Sequence, residues 1–401
     1  MPRVWYPHGM GWGPDWARWR RRRRARRVGV LAEGAVLDDS MFAPEAVEAA
    51  ARQLYDEIVA AWNADDHRRL APVLGHELFV EWDRRLAELR RRRHRNLVER
   101  RGRLHVEYIG LVNRSGDVAD RVVVHVRARM RDAIYDDRGR IVFRDANDNG
   151  KRTWSDYWTL GKRDGRWILL SLEEEREGGY HLDDPVVASP SDDERLHDEA
   201  VIERGVAAAV RPDRFAEVAG AVPLEFAGNT RMAALDLAQL DGRWAPDVLE
   251  AAARRAVLAW AEAVDGNHQP LIDIAGRHTA NALLYPESDR RSRLVIRGPE
   301  LKNLRIIHLE PAAKPPTMTV EATISAHRYV ESRNTGAVLS GSKTRTDTFC
   351  EQWDLALTHH HETPWRIASR HDPPVRIFER LRATAREIAI RLSERGYPRR
   401  P

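Results

Sequence analysis

The sequence predicts an α+β protein with two similar domains, each a set of helices packed on a curved antiparallel sheet. Three observations lead there. Phe42-Ala-Pro-Glu-Ala-Val-Glu-Ala-Ala-Ala-Arg52 returns as Trp244-Ala-Pro-Asp-Val-Leu-Glu-Ala-Ala-Ala-Arg254, an offset of 202 residues. Segments of strict apolar/polar alternation follow each copy, and each copy closes on a hairpin that carries tryptophans.

The 401 residues are 42% hydrophobic and 32% charged, enough to bury two or three cores and too apolar for a disordered chain. A single cysteine, Cys350, excludes an intrachain disulfide framework and suits a reducing compartment. No run reaches the roughly 18 apolar residues of a membrane span, and the first thirty residues lack the apolar core of a secretory signal. A cytoplasmic address follows as the expectation. The formal charge of +5 is uneven: residues 1–27 hold nine arginines and one acid, so the remaining chain sums to −3.

In chain order, residues 1–41 read as a basic Arg/Trp-rich tail without structure of its own. A first domain is expected over 42–178. Its opening proline sits where a first helical turn needs no N–H donor, and Val47, Ala51, Tyr55, Ile58 and Trp62 share one helix face. A polar turn at Asn63–His67 ends that helix, and a long helix is predicted from Glu77 to Val98. Val122, Val124, Val126, Ala128 and Met130 then alternate with His125, Arg127 and Arg129, the pattern of a sheet with one buried face. Trp158 to Leu170 reverses at Asp164-Gly165 as a hairpin.

Residues 179–241 read as a linker holding a helix from Asp193 to about Val210 and a short apolar run, Val222–Phe226. The second domain, 242–373, repeats the plan with Leu249, Ala252, Ala256 and Trp260 on a helix face. Met318, Val320, Ala322, Ile324 and Ala326 make a strand, and Trp353 and Trp365 lie in the closing hairpin. Residues 374–401 carry the spacing of an amphipathic helix.

Chemical motifs are sparse. Asp145, Asn147, Asn149 and Asp156 stand at calcium-loop positions one, three, five and twelve, but strands flank them and Asp replaces the usual final Glu. An Asn/Asp/Gly-rich hairpin loop explains them as well, so no metal is assigned. Gly336 to Thr344 misses the phosphate-loop spacing by one residue and joins two strands. His359, His360 and His361 share one loop, without converging partners. Cys350 reads as a small core residue, and His125 and His327 as surface or shallow-pocket groups. No catalytic residue and no cofactor is nominated.

Phe42-Ala-Pro, Ala61-Trp-Asn-Ala-Asp65, Glu77-Leu-Phe-Val-Glu-Trp82, His94-Arg-Asn96 and Trp158-Thr-Leu with Asp164-Gly-Arg-Trp167 together give a pattern that resembles the Tim44-like domain family. The likeness covers 42–175 well and 244–370 more faintly. It implies a cone-shaped fold similar to nuclear transport factor two, and a bacterial, tandem, membrane-peripheral protein that holds other proteins. The mitochondrial import role of the founding member does not carry over, because the segments that meet its motor partners are missing.

The expected function is therefore non-enzymatic: a scaffold that holds an unidentified protein or lipid partner at the inner face of the cell membrane. Trp12, Trp16, Trp19 and Arg20, Arg21, Arg22, Arg23 and Arg24 are the expected contacts to an anionic surface, with Trp5 and Tyr6 accessory. Nucleic acid is a weaker expectation for the same tail. The alternative is small-molecule binding, or isomerase- or dehydratase-type catalysis, in a cone pocket, requiring His125, Asp132 or an equivalent to face an apolar cavity.

Overall fold

A computed structural model of the chain describes residues 14–114, 116–145, 152–208, 230–285, 291–360 and 362–371. Two compact units emerge: Met1–Glu194 with Asp265–Asn267 and Ser332–Ala337, and Arg195–Val264 with His268–Glu331 and Val338–Pro401.

In the first unit, helix α1 (Pro14–Asp38) occupies most of the expected disordered tail. Val28, Ala32 and Ala35, at helical spacing, are fully buried in the core, which gives this segment the packing that its charge run conceals. Helix α2 (Pro44–Asn63) follows, with Val47, Ala51, Leu54, Tyr55, Ile58, Ala61 and Trp62 buried along one face. A single turn, α3 (His67–Leu70), is capped by the Asp66 carboxylate. Helix α4 (His76–Arg91) stops well short of Val98: Arg93 takes a left-handed φ of 56°, and the chain turns directly into a strand. The predicted helix to Val98 is thereby corrected.

Six strands form one antiparallel sheet: β1 (Arg95–Arg100), β2 (His105–Val112), β3 (Arg121–Tyr135), β4 (Ile141–Asp145), β5 (Arg152–Arg163) and β6 (Arg166–Glu174). The long β3 is its axis. It pairs with β2 and then β1 along one edge, and with β5 and then β4 along the other; β6 adds to β5. Register shifts at Tyr108/Gly110, Ile134/Tyr135 and Thr159/Leu160 bend and twist the sheet. At the first, Gly110 lies against Val123 so closely that a Cβ would sit 2.8 Å from the valine's own, so only glycine fits.

Val122, Val124, Val126, Ala128 and Met130 are buried on the helix side, as their alternation predicts. The opposite face is not left to solvent, because α1 packs against β2 and the turn Gly178–Leu182 lies beside it. His125 is accordingly 2% exposed, correcting its assignment as a surface group.

The second unit contains α5 (Glu194–Ala207), α6 (Thr230–Ala238), α7 (Pro246–Asp265) and α8 (Gln269–Leu284). Its sheet runs in the order β10 (Trp365–His371), β9 (Val338–Leu357), β8 (Thr317–Ser332), β7 (Ser292–Glu310). Met318, Val320, Ala322, Ile324 and Ala326 of β8 are buried in one core with Trp260 of α7 and Trp353 of β9. Cys350 proves exposed, on the other face of β9 from the neighbouring buried Phe349, and so is no core residue. The α+β architecture with curved antiparallel sheets stands as the sequence predicts. Val222–Phe226 and the helical pattern of 374–401 lie outside the described residues.

Candidate functional site

Two features of the first unit carry functional chemistry: helix α1 and a cavity between α2 and the sheet. In α1 the helical period separates the arginines into two sets. Arg21 and Arg24 point inward. The Arg24 guanidinium donates from Nε to Ile109 O at 2.8 Å and from Nη2 to Asp184 O at 2.7 Å, while Arg21 pairs with Glu175 and lies 3.6 Å from Glu107. Arg20 bonds both oxygens of Asp183, at 2.6 and 2.7 Å. These three were expected to contact a membrane surface; Arg21 and Arg24 instead lock the helix to its own domain, because carbonyls and carboxylates of the sheet face lie within their reach.

A buried polar layer continues beneath them. His125 Nε2 lies 2.8 Å from Ser155 Oγ, and its Nδ1 lies 3.3 Å from Glu107, an interaction that holds the Glu107 carboxyl below its usual range against the cost of burial. His181 sits between Glu173 at 3.2 Å and Asp184 at 3.0 Å. Burial opposes its charge, but hydrogen bonds to Asp184 and Glu173 prevail and raise its pKa to about 9.

The opposite face of α1 is open. Trp16 is 46% and Trp19 54% exposed, Arg18, Arg22, Arg23, Arg26 and Arg27 are exposed, and Val30 and Leu37 extend the same surface. Arg20 stacks over Trp16 at 4.9 Å and Arg23 over Trp19 at 5.5 Å. Of the expected surface contacts, Trp16, Trp19, Arg22 and Arg23 are thus presented outward; Trp5, Tyr6 and Trp12 lie outside the described residues.

The cavity measures about 100 Å³. Helix α2 supplies Tyr55, Ile58 and Trp62, α4 supplies Trp82, and alternate positions of β5 supply Trp154 and Trp158. The same alternation places two carboxylates in this apolar wall: Asp132 continues the inward row of β3 past Met130, and Asp156 lies between the two tryptophans of β5, opposite Val126. Asp132 is 3% and Asp156 7% exposed. A short relay orients the first, with Trp62 Nε1 donating to Asn96 Oδ1 at 2.8 Å and Asn96 Nδ2 donating to Asp132 Oδ1 at 2.5 Å. Burial pushes the Tyr55 hydroxyl up to about 12, and it donates to Met130 Sδ.

Of the two residues that the pocket alternative names, Asp132 lines the cavity and His125 lies on the opposite face of β3, while Asn96, which orients Asp132, falls in the segment predicted as helix. Period-two continuation from Met130 to Asp132 was the available signal. Of the calcium-loop residues, Asp145 ends β4 and Asp156 lines the cavity, while Asn147 and Asn149 lie outside the described residues. Among the described residues no three His, Cys, Asp or Glu side chains are placed to hold a metal ion, and no helix is long and apolar enough to cross a membrane.

Helices laid over one face of a curved antiparallel sheet, with an aromatic cavity between, define the class of the first unit: a cavity-bearing α+β domain. Residues 31–174 match the model of the Tim44-like domain family. No curated protein matches the chain. Among solved structures it is similar to the intermembrane space region of the chloroplast protein ARC6, at 15% identity over 32% of this chain and 95% of that one, with a TM-score of 0.25. An Ntf2-like protein involved in plasmid conjugation matches at 9% identity over 80% and 96%, with a TM-score of 0.19. Neither likeness carries an argument at those scores.

Proposed function

We propose that the chain is a non-enzymatic, membrane-peripheral binding protein in which two Tim44-like domains in tandem hold a protein or lipid partner at the inner face of the cell membrane. The observation that carries this reading is the two-sided helix α1, whose Arg21 and Arg24 face is anchored in the domain while Trp16, Trp19, Arg22, Arg23, Arg26 and Arg27 face outward. Exposed indoles at the level of several arginines suit the headgroup region of an anionic bilayer, each cation adding about 1 kcal/mol of attraction. The match of residues 31–174 to the Tim44-like family model supports an interaction role at or near membranes. The tandem reading draws support from the second unit, which repeats the capped turn, proline-led helix and tryptophan hairpin of the first.

Fractionation tests it. Expressed in bacteria, the full chain should sediment with inner membranes at low salt and be released by a high-salt wash, since the contact is electrostatic and superficial. Recovery entirely in the soluble fraction at low salt would contradict the proposal.

A second reading, small-molecule binding in the cavity of the first unit, is favoured by Asp132 and Asp156 standing among its aromatic walls.

A further inference from the structure

We propose that Ser155 of the first unit is an activated nucleophile, a covalent modification site that takes an acyl group from a neutral activated ester or thioester. The inference goes beyond the binding role and depends neither on membrane attachment by α1 nor on the cavity.

Three strands bring the groups together. Glu107 of β2 and Tyr157 of β5 stand directly opposite His125 of β3, and Ser155, the next residue of β5 on that face, stands opposite Arg127. Diagonal neighbours in a sheet are within side-chain reach. The result is a chain, with Glu107 3.3 Å from His125 Nδ1 and Ser155 Oγ 2.8 Å from Nε2. A carboxylate on Nδ1 holds that nitrogen as the N–H donor, which leaves the Nε2 lone pair for the serine hydroxyl proton. The Tyr157 ring, its centroid 5.0 Å from that of His125, packs against the imidazole.

Nucleophile, base and orienting carboxylate in hydrogen-bonded series are the arrangement that activates a serine on unrelated folds. Burial is graded along the chain as that use requires: His125 is 2% exposed, whereas Ser155 is half-buried, so the base is shielded from water while the hydroxyl can be reached. Arg127 adds a cation on the face of Ser155, beside the place where an oxyanion would develop. An acyl intermediate develops one negative charge, which one guanidinium can meet, whereas phosphoryl transfer spreads charge over several oxygens and calls for several cations.

In the step, Ser155 Oγ bonds to the carbonyl carbon as its proton passes to His125 Nε2. The bond from that carbon to the leaving oxygen or sulfur then breaks, and His125 returns the proton to the leaving atom. An ester remains on Ser155, and an alcohol or thiol departs.

The test adds p-nitrophenyl acetate to the full chain carrying Cys350→Ala, because that exposed thiol would itself be acylated. A burst of about one equivalent of p-nitrophenolate per chain should appear, with the acetyl mass on the peptide that holds Ser155. Ser155→Ala should abolish that label, and His125→Gln should slow it about a hundredfold. Glu107→Gln should slow it as well and move the pH midpoint of labelling, which loss of a merely structural carboxylate would not do. Near-ultraviolet circular dichroism checks that each variant is folded. Acetyl groups only at other residues, or a burst unchanged in Ser155→Ala, would overturn the proposal and leave the binding role untouched. Sustained turnover that Ser155→Ala removes would keep Ser155 as the nucleophile and overturn the non-enzymatic reading instead.

Discussion

Asp39 and Asp241, 202 residues apart, each accept a hydrogen bond from the backbone N–H two residues further on, that of Met41 in the first unit and of Arg243 in the second. Each opens a single 3-10 turn, Ser40–Phe42 or Gly242–Trp244, followed by Ala-Pro and a 20-residue helix. The ring that ends the turn meets a hairpin tryptophan edge-on, Phe42 with Trp167 at 5.6 Å and Trp244 with Trp365 at 4.9 Å. Both indoles then donate into the turn, to Met41 O at 3.2 Å and Arg243 O at 3.0 Å. The likeness between the units is therefore one of construction, extending to residues that are chemically different.

That difference sets the first prediction. Asp241 is fully buried and pairs with the buried Arg243 at 2.6 Å, whereas Asp39 shares Lys162 with Asp120. Asp241→Ala strands the arginine and should cost about 3–5 kcal/mol. Asp39→Ala loses chiefly a cap, about 1 kcal/mol, because Lys162 keeps a carboxylate partner. Urea unfolding of the full chain, followed by circular dichroism, measures both.

Arg24→Met should loosen α1 from the sheet while retaining the length of the side chain. Two charge-assisted hydrogen bonds disappear, for about 3 kcal/mol in total, and the Ile109 and Asp184 carbonyls lose their donors. Limited trypsin digestion should then cut within residues 18–27 at least several times faster than in the unaltered chain.

Stability of the first unit should fall between about pH 6.5 and 9 through His181. Its folded pKa is raised to about 9 from 6.5, so its contribution is complete below the unfolded value and is lost as pH rises through the folded one. The shift corresponds to something on the order of 3 kcal/mol. His181→Gln should flatten the pH dependence of unfolding in this window, while Tyr157, pushed up to about 12 by burial, titrates above it.

What the sequence shows and what it conceals follow from where the partners lie. The proline-led helices, the alternation of β3 and β8 and the Asp164-Gly165 reversal are local, and they are legible. Arg21 and Arg24 are not, because the carbonyls and carboxylates that hold them come from residues 107–184, and a run of arginines masks the spacing of Val28, Ala32 and Ala35. His125 fails for the same reason: its apparent outward parity is real, but a remote helix covers that face. The end of α4 is set by a left-handed Arg93, which carries no residue-type signal.

The most direct test of membrane attachment is flotation of the full chain with liposomes, comparing it with a variant carrying Arg22→Glu, Arg23→Glu, Arg26→Glu and Arg27→Glu. These positions are exposed and leave the Arg21 and Arg24 anchors intact, so the domain stays folded. The unaltered chain should rise with phosphatidylglycerol vesicles at low salt and stay down with neutral ones, and the variant should stay down with both. Flotation of the variant equal to that of the unaltered chain, or no flotation of either, would contradict the assignment of α1 as the membrane-facing element.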